Sequence, residues 1–239
     1  MLFIGDCHCK FKTYLYILFN MQHKGGRKGV DCSLQVGDMG IGFPPDSKFQ
    51  KNNTTWFPPI DNNHKFIRGN HDDPAQCQLH SNYIGDWGYL PDPNLFFVSG
   101  GYSIDHNYRI IDTNFWADEE LEESVMDEVL NSYKMCKPKI VITHECPLGI
   151  KIDFVTNSWK FDINSRTEKL LQSMFEIHQP EYWIFGHHHR KKELDKNGTH
   201  FVCLNELIYG KISDCIYEIP NLIWESCDKS VSELDKDKL

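Results

Sequence analysis

The chain is punctuated by short apolar runs, each stopped abruptly by glycine, aspartate or histidine. Leu2-Phe3-Ile4 leads to Asp6 and His8, Leu34-Gln35-Val36 to Gly37-Asp38, and Lys65-Phe66-Ile67 to Gly69-Asn70-His71-Asp72. Ile140-Val141-Ile142 leads to His144, and Tyr182-Trp183-Ile184-Phe185 to Gly186-His187-His188-His189. Runs of three or four apolar, β-branched or aromatic residues that end in a turn residue read as buried strands. In open α/β sheets, ligands sit outside the carboxyl ends of the strands. Five strand ends bearing polar clusters therefore predict one shared functional region.

Helical spacing supplies the rest of an α/β chain. Tyr14, Leu15, Ile17, Leu18 and Met21 recur at that spacing and Gly25-Gly26 closes the run, giving a β-α-β opening. A second helix is expected from about Glu119 to Tyr133, with acids in its first turn and Pro138 beyond its end. A third spans about Arg166 to Ile177, entered through the capping-box pattern Ser165-x-x-Glu168 and closed before Pro180. The stretches from Phe96 to Ile111 and from Thr199 to Ile219 read as strands, with Asn107 and Gly210 at turns, which suggests a second sheet packed on the first. Gly40 to Asn63 and Cys146 to Asn164 lack periodicity. Such loops wall a functional site, or their aromatics (Phe43, Trp56, Phe57, Phe154, Trp159, Phe161) staple them to the body.

A length of 239 residues fits one α/β domain, expected over residues 1–227, followed by a charged tail over 228–239. No apolar run is long enough to span a membrane and no export signal precedes the first strand, so a soluble, cytoplasmic protein is expected. The nine cysteines are odd in number and irregularly spaced, which predicts reduced thiols. Alternation turns Cys7 and Cys9 away from His8. The net charge of −9 disfavours long duplex DNA as a ligand, although cations bound in a cleft reverse the sign locally.

Together the clusters offer two carboxylates, an amide and several imidazoles, the supply that two adjacent divalent cations need. Oxygen and nitrogen donors without a thiolate suit Mn²⁺, Fe²⁺, Co²⁺, Ni²⁺ or Zn²⁺, and Mn²⁺ is expected to support activity. In an extended segment His187 and His189 face one way and His188 the other. Gly37, Gly69 and Gly186 are expected to take backbone angles closed to other residues.

The order Asp-x-His, Gly-Asp, Gly-Asn-His-Asp, His, Gly-His-x-His over positions 6 to 189 resembles the calcineurin-like metallophosphoesterase superfamily. Arg68 to Pro74, Phe96 to Asp105 and Gly198 to Leu204 are similar to its small phage and bacterial branch. The resemblance implies a four-layer α/β/β/α sandwich of two mixed sheets flanked by helices, with a dinuclear metal site at strand carboxyl ends. It places Asp6, His8, Asp38 and His189 on one metal and Asp38, Asn70, His144 and His187 on the other, with Asp38 bridging. The implied reaction is hydrolysis of phosphate mono- or diesters by a hydroxide shared between the metals, His71 protonating the leaving group and Asp72 holding its ring. Arg68 or Arg190 could grip a phosphate. Cys9 stands where the family usually has glycine. The segment Gly37-Asp38-Met39-Gly40-Ile41-Gly42 lacks the arginine of the protein phosphatases, so a small-molecule or nucleotide ester is the expected substrate. The alternatives are a nuclease acting on nucleic-acid ends and a metal-binding docking scaffold, and the scaffold is disfavoured because His71 and every ligand position are kept. The sequence sets no oligomeric state.

Overall fold

Period-two alternation decides the layering. In a computed structural model describing residues 1–21, 29–43, 57–154, 165–208 and 210–224, the first strand, β1 (Leu2–Ile4), turns Leu2 and Ile4 to one side and Phe3 to the other. Leu2 and Ile4 pack with Phe11, Tyr14, Ile17 and Leu18 of α1 (Phe11–Asn20). Phe3 joins Leu34, Val36 and Ile67 in a core shared with Leu95, Phe97, Ile140, Ile142, Ile184 and Val202. That middle core lies between two sheets.

The first sheet has the order β10-β1-β2-β3. β2 (Ser33–Gln35) and β3 (His64–Phe66) extend it in parallel from β1, while β10 (Ile216–Glu218) adds antiparallel on the other side of β1. The second sheet runs β4 (Trp87–Leu90), β5 (Leu95–Val98), β6 (Ile140–Thr143), β7 (Tyr182–Phe185), β9 (Thr199–Cys203), β8 (Lys192–Lys196). Its four inner strands are parallel and both edges are antiparallel. Phe96, Val98, Val141, Trp183, Phe185 and Phe201 point outward onto α3 (Glu123–Cys136), α4 (Leu148–Phe154) and α5 (Arg166–Ile177). The result is the expected α/β/β/α sandwich of two mixed sheets.

Several elements differ from the sequence expectation. The second helix starts at Glu123 because the acids before it serve tertiary contacts instead. Glu119 accepts hydrogen bonds from the Ser103 backbone N–H and hydroxyl, at 2.6 and 2.5 Å, and Glu120 accepts from Ser165 Oγ and the Thr167 N–H, both at 2.8 Å. Glu120 thereby caps α5 together with Ser165, whose hydroxyl accepts from the Glu168 N–H at 3.1 Å as the capping-box pattern implied. The stretch Phe96 to Ile111 forms a strand only through Val98, then turns through a 3₁₀ segment at His106–Tyr108. Of the stretch Thr199 to Ile219, only Thr199–Cys203 lies in the second sheet, and its last strand returns to the first. β8 carries no apolar strand signal because its Lys-Glu-Leu-Asp-Lys sequence is that of an edge strand, charged and poor in apolar residues. Its hairpin to β9 turns on Asn197 (φ 52°) and Gly198 (φ 84°), the left-handed pair that a two-residue hairpin needs. Leu148–Phe154 is helical where the sequence shows no periodicity, and the short α2 (Pro74–Cys77) is capped by Asp73. The glycine pair 25–26, Trp56, Trp159, Phe161 and the tail over 228–239 lie outside the described residues.

Truncating Phe3, fully buried between the sheets, leaves a cavity that neither sheet can close. Phe3→Ala should lower unfolding free energy by about 3–5 kcal/mol, read from the urea midpoint at constant slope.

Candidate metal centre

The carboxyl ends of β1, β2 and β3 meet those of β6 and β7 at one edge of the sandwich. Backbone stitching brings them there: the N–H groups of Cys7 and His8 donate to Asp38 O at 2.9 and 2.7 Å, and Cys9 N–H donates to Met39 O at 3.0 Å. The Gly186 N–H donates to His144 O at 3.1 Å. Cys7 and Cys9 turn into the core beside α1, away from His8 as expected, but the left-handed φ of His8 (46°) and Cys9 (60°) makes this the work of a turn and not of extended alternation; no disulfide joins the eight described cysteines.

The backbone at the centre is strained where the polar side chains sit. His8, Asp38, His187 and His189 all have left-handed φ, at 46°, 55°, 63° and 50°. Each such residue costs roughly 1–2 kcal/mol, and conformations of this kind concentrate at functional sites. The segment around the three histidines is therefore a turn rather than extended chain. Only Gly37 (φ 103°) meets the conformational role expected of the three glycines. At Gly69 and Gly186 the constraint is space, since a Cβ would fall 2.2 Å from Asp38 Oδ1 and 2.0 Å from Asp6 Oδ1 respectively.

Seven side chains converge in two overlapping groups. In the first, His8 Nε2 lies 2.9 Å from His189 Nε2 and 3.6 Å from Asp38 Oδ2, while His189 Nε2 lies 3.2 Å from Asp6 Oδ2. In the second, His144 Nε2 lies 3.2 Å from Asp38 Oδ1 and 3.1 Å from Asn70 Oδ1, and His187 Nδ1 lies 3.0 Å from Asn70 Oδ1 and 3.2 Å from His144 Nε2. Asp38 thus turns one oxygen to each group. Converging lone pairs of this sort repel unless a proton or a cation lies among them, and the nitrogen–oxygen donor set is one that divalent transition metals accept. Asp6, His8, Asp38 and His189 offer donor atoms close enough together to hold a metal ion, and Asp38 also reaches the second group through its other oxygen.

Local electrostatics point the same way. Burial opposes a charge on His144, yet Asp38 and Asp6 overcome it and raise its pKa to about 10. The field that would keep a proton on Nε2 would also attract a divalent cation. Burial drives His187 the other way, to about 3, leaving a neutral ring with Nδ1 free to ligate.

An outer layer of partners fixes these rings. Glu145, fully buried, places Oε2 3.1 Å from His187 Nε2 and Oε1 2.9 Å from His188 Nε2. Although burial opposes its ionisation, His187 and His188 hold its pKa well below the usual carboxylate range. Such a carboxylate–histidine contact sets the tautomer and orientation of a ligand ring. His188 lies 2.9 Å from Glu145 Oε1 and 3.3 Å from Cys146 Sγ and belongs to neither donor group, although a turn, and not the expected extended alternation, sets it apart from His187 and His189. Asn70 donates through Nδ2 to Ser103 Oγ at 3.2 Å, Ser103 donates to Glu119, and Asn70 Oδ1 is thereby turned towards the histidines. Glu145, Ser103 and Glu119 were not singled out from sequence. Glu145 adjoins His144, and that adjacency was the available signal.

Asp72 requires a correction. Its carboxylate accepts from the N–H groups of Met39 (3.1 Å), Gly40 (2.6 Å), Ile41 (2.9 Å) and Gly69 (2.8 Å), binding the β2 and β3 loops together rather than holding the His71 ring. His71 donates its backbone N–H to Asp38 Oδ1 at 2.7 Å, and its Nε2 lies 2.7 Å from Arg109 Nη2. Burial pushes its pKa down to about 4. Arg68 is also no phosphate grip: it is buried, paired with Asp86 at 2.7 Å and donating to Glu119 O at 2.6 Å. Arg190 Nε is buried without a hydrogen-bond partner. Of the loop aromatics, Phe57 packs on Phe11 and Phe66 as a staple, whereas Phe43 stacks on His71 at 4.6 Å and 18° as a wall of the site.

Two facing mixed sheets with clustered carboxylate and imidazole donors at their strand ends define an α/β/β/α protein with a candidate metal-binding site. The chain belongs to the calcineurin-like phosphoesterase family, whose sequence profile matches residues 1–191. Among solved structures it is similar to the phosphopantetheinyl hydrolase from Mycobacterium tuberculosis, at 10% identity over 92% of this chain and 95% of that one, with a TM-score of 0.49. It is also similar to GAP50, the anchor in the inner membrane complex of Plasmodium, at 9% identity over 85% and 70% of the respective chains, with a TM-score of 0.43. No curated protein matches the sequence. Among the described residues, no helix is long and apolar enough to cross a membrane.

Replacing Glu145 by glutamine keeps the shape but removes the charge behind His187. Metal affinity of the group containing His187 should fall about 10–100-fold, measured by calorimetric titration with Mn²⁺.

Proposed function

We propose that the protein is a dinuclear-metal phosphoesterase that hydrolyses phosphate mono- or diesters of small molecules or nucleotides. The observation that carries this reading is the division of Asp38, one oxygen towards the His8 and His189 side and the other towards His144, with the His71 N–H bound to the same carboxylate. In this proposal Asp6, His8, Asp38 and His189 hold one cation, and Asp38, Asn70, His144 and His187 hold the second, with Mn²⁺ the preferred ion. Such ions would supply Lewis-acid chemistry there, activating a water and neutralising phosphate oxygens.

The chain's own residues do the rest. Asp6 and Asp38 set the charge of the site, Glu145 and the Ser103–Glu119 pair orient its ligands, and Asp72 keeps the loops in register. His71 Nε2 borders the cleft beside the metal groups and is the proton donor to the departing oxygen. An anionic phosphate next to the ring favours its protonated form, against the effect of burial. The cleft holds about 340 Å³ and is lined by Asp38, Asn70, His71, Arg109, Lys151 and His187, a size matched to a small ester.

Asp38→Asn should abolish Mn²⁺-dependent turnover and weaken binding of both ions, seen by metal titration. His71→Asn should keep both ions and lose about 10²–10⁴-fold in kcat on an alkyl phosphate, with a smaller loss on 4-nitrophenyl phosphate, whose oxygen leaves without a proton. Equal losses on the two substrates would remove His71 from the proton-transfer role. Absence of metal-dependent hydrolysis across aryl phosphate mono- and diesters, cyclic nucleotides and oligonucleotides would overturn the phosphoesterase reading.

A further inference from the structure

Two cationic side chains border the cleft, and they are held very differently. Lys151 is buried and paired with the equally buried Glu168, at 3% and 2% side-chain exposure. Separating that pair would strand a charge in the interior. Arg109 lies on the His71 side. Its Nη2 is 2.7 Å from His71 Nε2 and 2.7 Å from Asp105 Oδ1, and the side chain of Asp105 is 52% exposed. Its Nη1 donates to Asn114 O at 3.3 Å. Phe43 stacks on His71 and lies 5.9 Å from the guanidinium carbon, so ring, imidazole and guanidinium form one wall.

The contact between Arg109 and His71 conflicts with the proposed chemistry. While the guanidinium donates to Nε2, that nitrogen cannot carry a proton towards a leaving group. An anion placed between the two would relieve the conflict, because it takes the arginine's hydrogen bonds and frees Nε2. Asp105 is half-exposed while the Arg109 side chain is 9% exposed, and both line the cleft, so an incoming anion can take the place of the carboxylate on a guanidinium whose fork matches a phosphate with two parallel bonds.

We propose that Arg109 is an anion subsite on the leaving-group side of the cleft, and that the substrate carries a second phosphate beyond the ester that is cleaved. The inference rests on the phosphoesterase reading, with His71 as the donor to the leaving group. Water attacks the nearer phosphorus, the phosphorus–oxygen bond to the leaving group breaks, and that oxygen takes a proton from His71. The distal phosphate stays on Arg109 throughout.

The test compares n-propyl phosphate with 1,3-propanediol bisphosphate, which yields phosphate and 3-hydroxypropyl phosphate, on the full-length protein loaded with Mn²⁺. The kcat/KM ratio should favour the bisphosphate by about tenfold or more, beyond the statistical advantage of two reactive ends. In Arg109→Met the ratio should collapse to that statistical value, and in Arg109→Lys it should be intermediate. Asp105→Asn, which removes the competing carboxylate from a half-exposed position, should raise the ratio. Hydrolysis of both compounds with no preference in the unaltered protein, or a preference that survives Arg109→Met, would overturn the subsite and leave the phosphoesterase reading standing. Hydrolysis of neither would overturn both.

Discussion

Two carboxylates, Asp6 and Asp38, are buried side by side at the end of the sandwich, and much of the surrounding structure follows from that juxtaposition. Desolvated like charges are tolerated only where positive partners neutralise them. The protein surrounds the pair with imidazoles and backbone N–H groups: His187 N–H donates to both oxygens of Asp6 at 3.2 and 3.0 Å, and His71 N–H donates to Asp38. These contacts hold the loops even as they leave oxygen lone pairs directed into the cleft. The strained φ values at His8, Asp38, His187 and His189 persist because both ends of each loop are fixed by strands.

Behind the donors stands a second tier of acidic groups. Glu145 steadies His187 and His188, and Glu119 steadies Asn70 through Ser103. Glu119 is itself pushed up to about 7 by burial, against the pull of its hydrogen bonds from Ser103. These residues never touch the two donor groups' meeting point, yet they decide where ring nitrogens and amide oxygens point. A site of this kind is organised from the outside inward.

Much of this was legible in the amino-acid order. Apolar runs marked the strands because each buries at least one face, and the polar clusters stood out at their carboxyl ends. The seven candidate donors come together in space as two overlapping groups. What stayed hidden has physical reasons. β8 carries charge because it is an edge, and the Asn197-Gly198 turn was the one signal that could have revealed it. Glu119 and Glu120 looked like helix-start acids, but a sequence pattern cannot tell a dipole partner from a tertiary acceptor. The adjacency of His71 and Asp72 suggested a pair, whereas the Asp72 carboxylate is consumed by four backbone N–H groups. All three glycines were expected to take unusual backbone angles, but only Gly37 does, and Gly69 and Gly186 are required because a Cβ there would meet Asp38 and Asp6.

The donors are divided between the layers: Asp6, His8, Asp38 and Asn70 ride on the first sheet, and His144, His187 and His189 on the second. Any ion gripped by both sets is therefore a rivet through the sandwich, adding mechanical closure at an edge where the apolar filling ends. Ligation there would add to the stability of the fold, because an ion held by both sheets binds the assembled sandwich and not the separated layers.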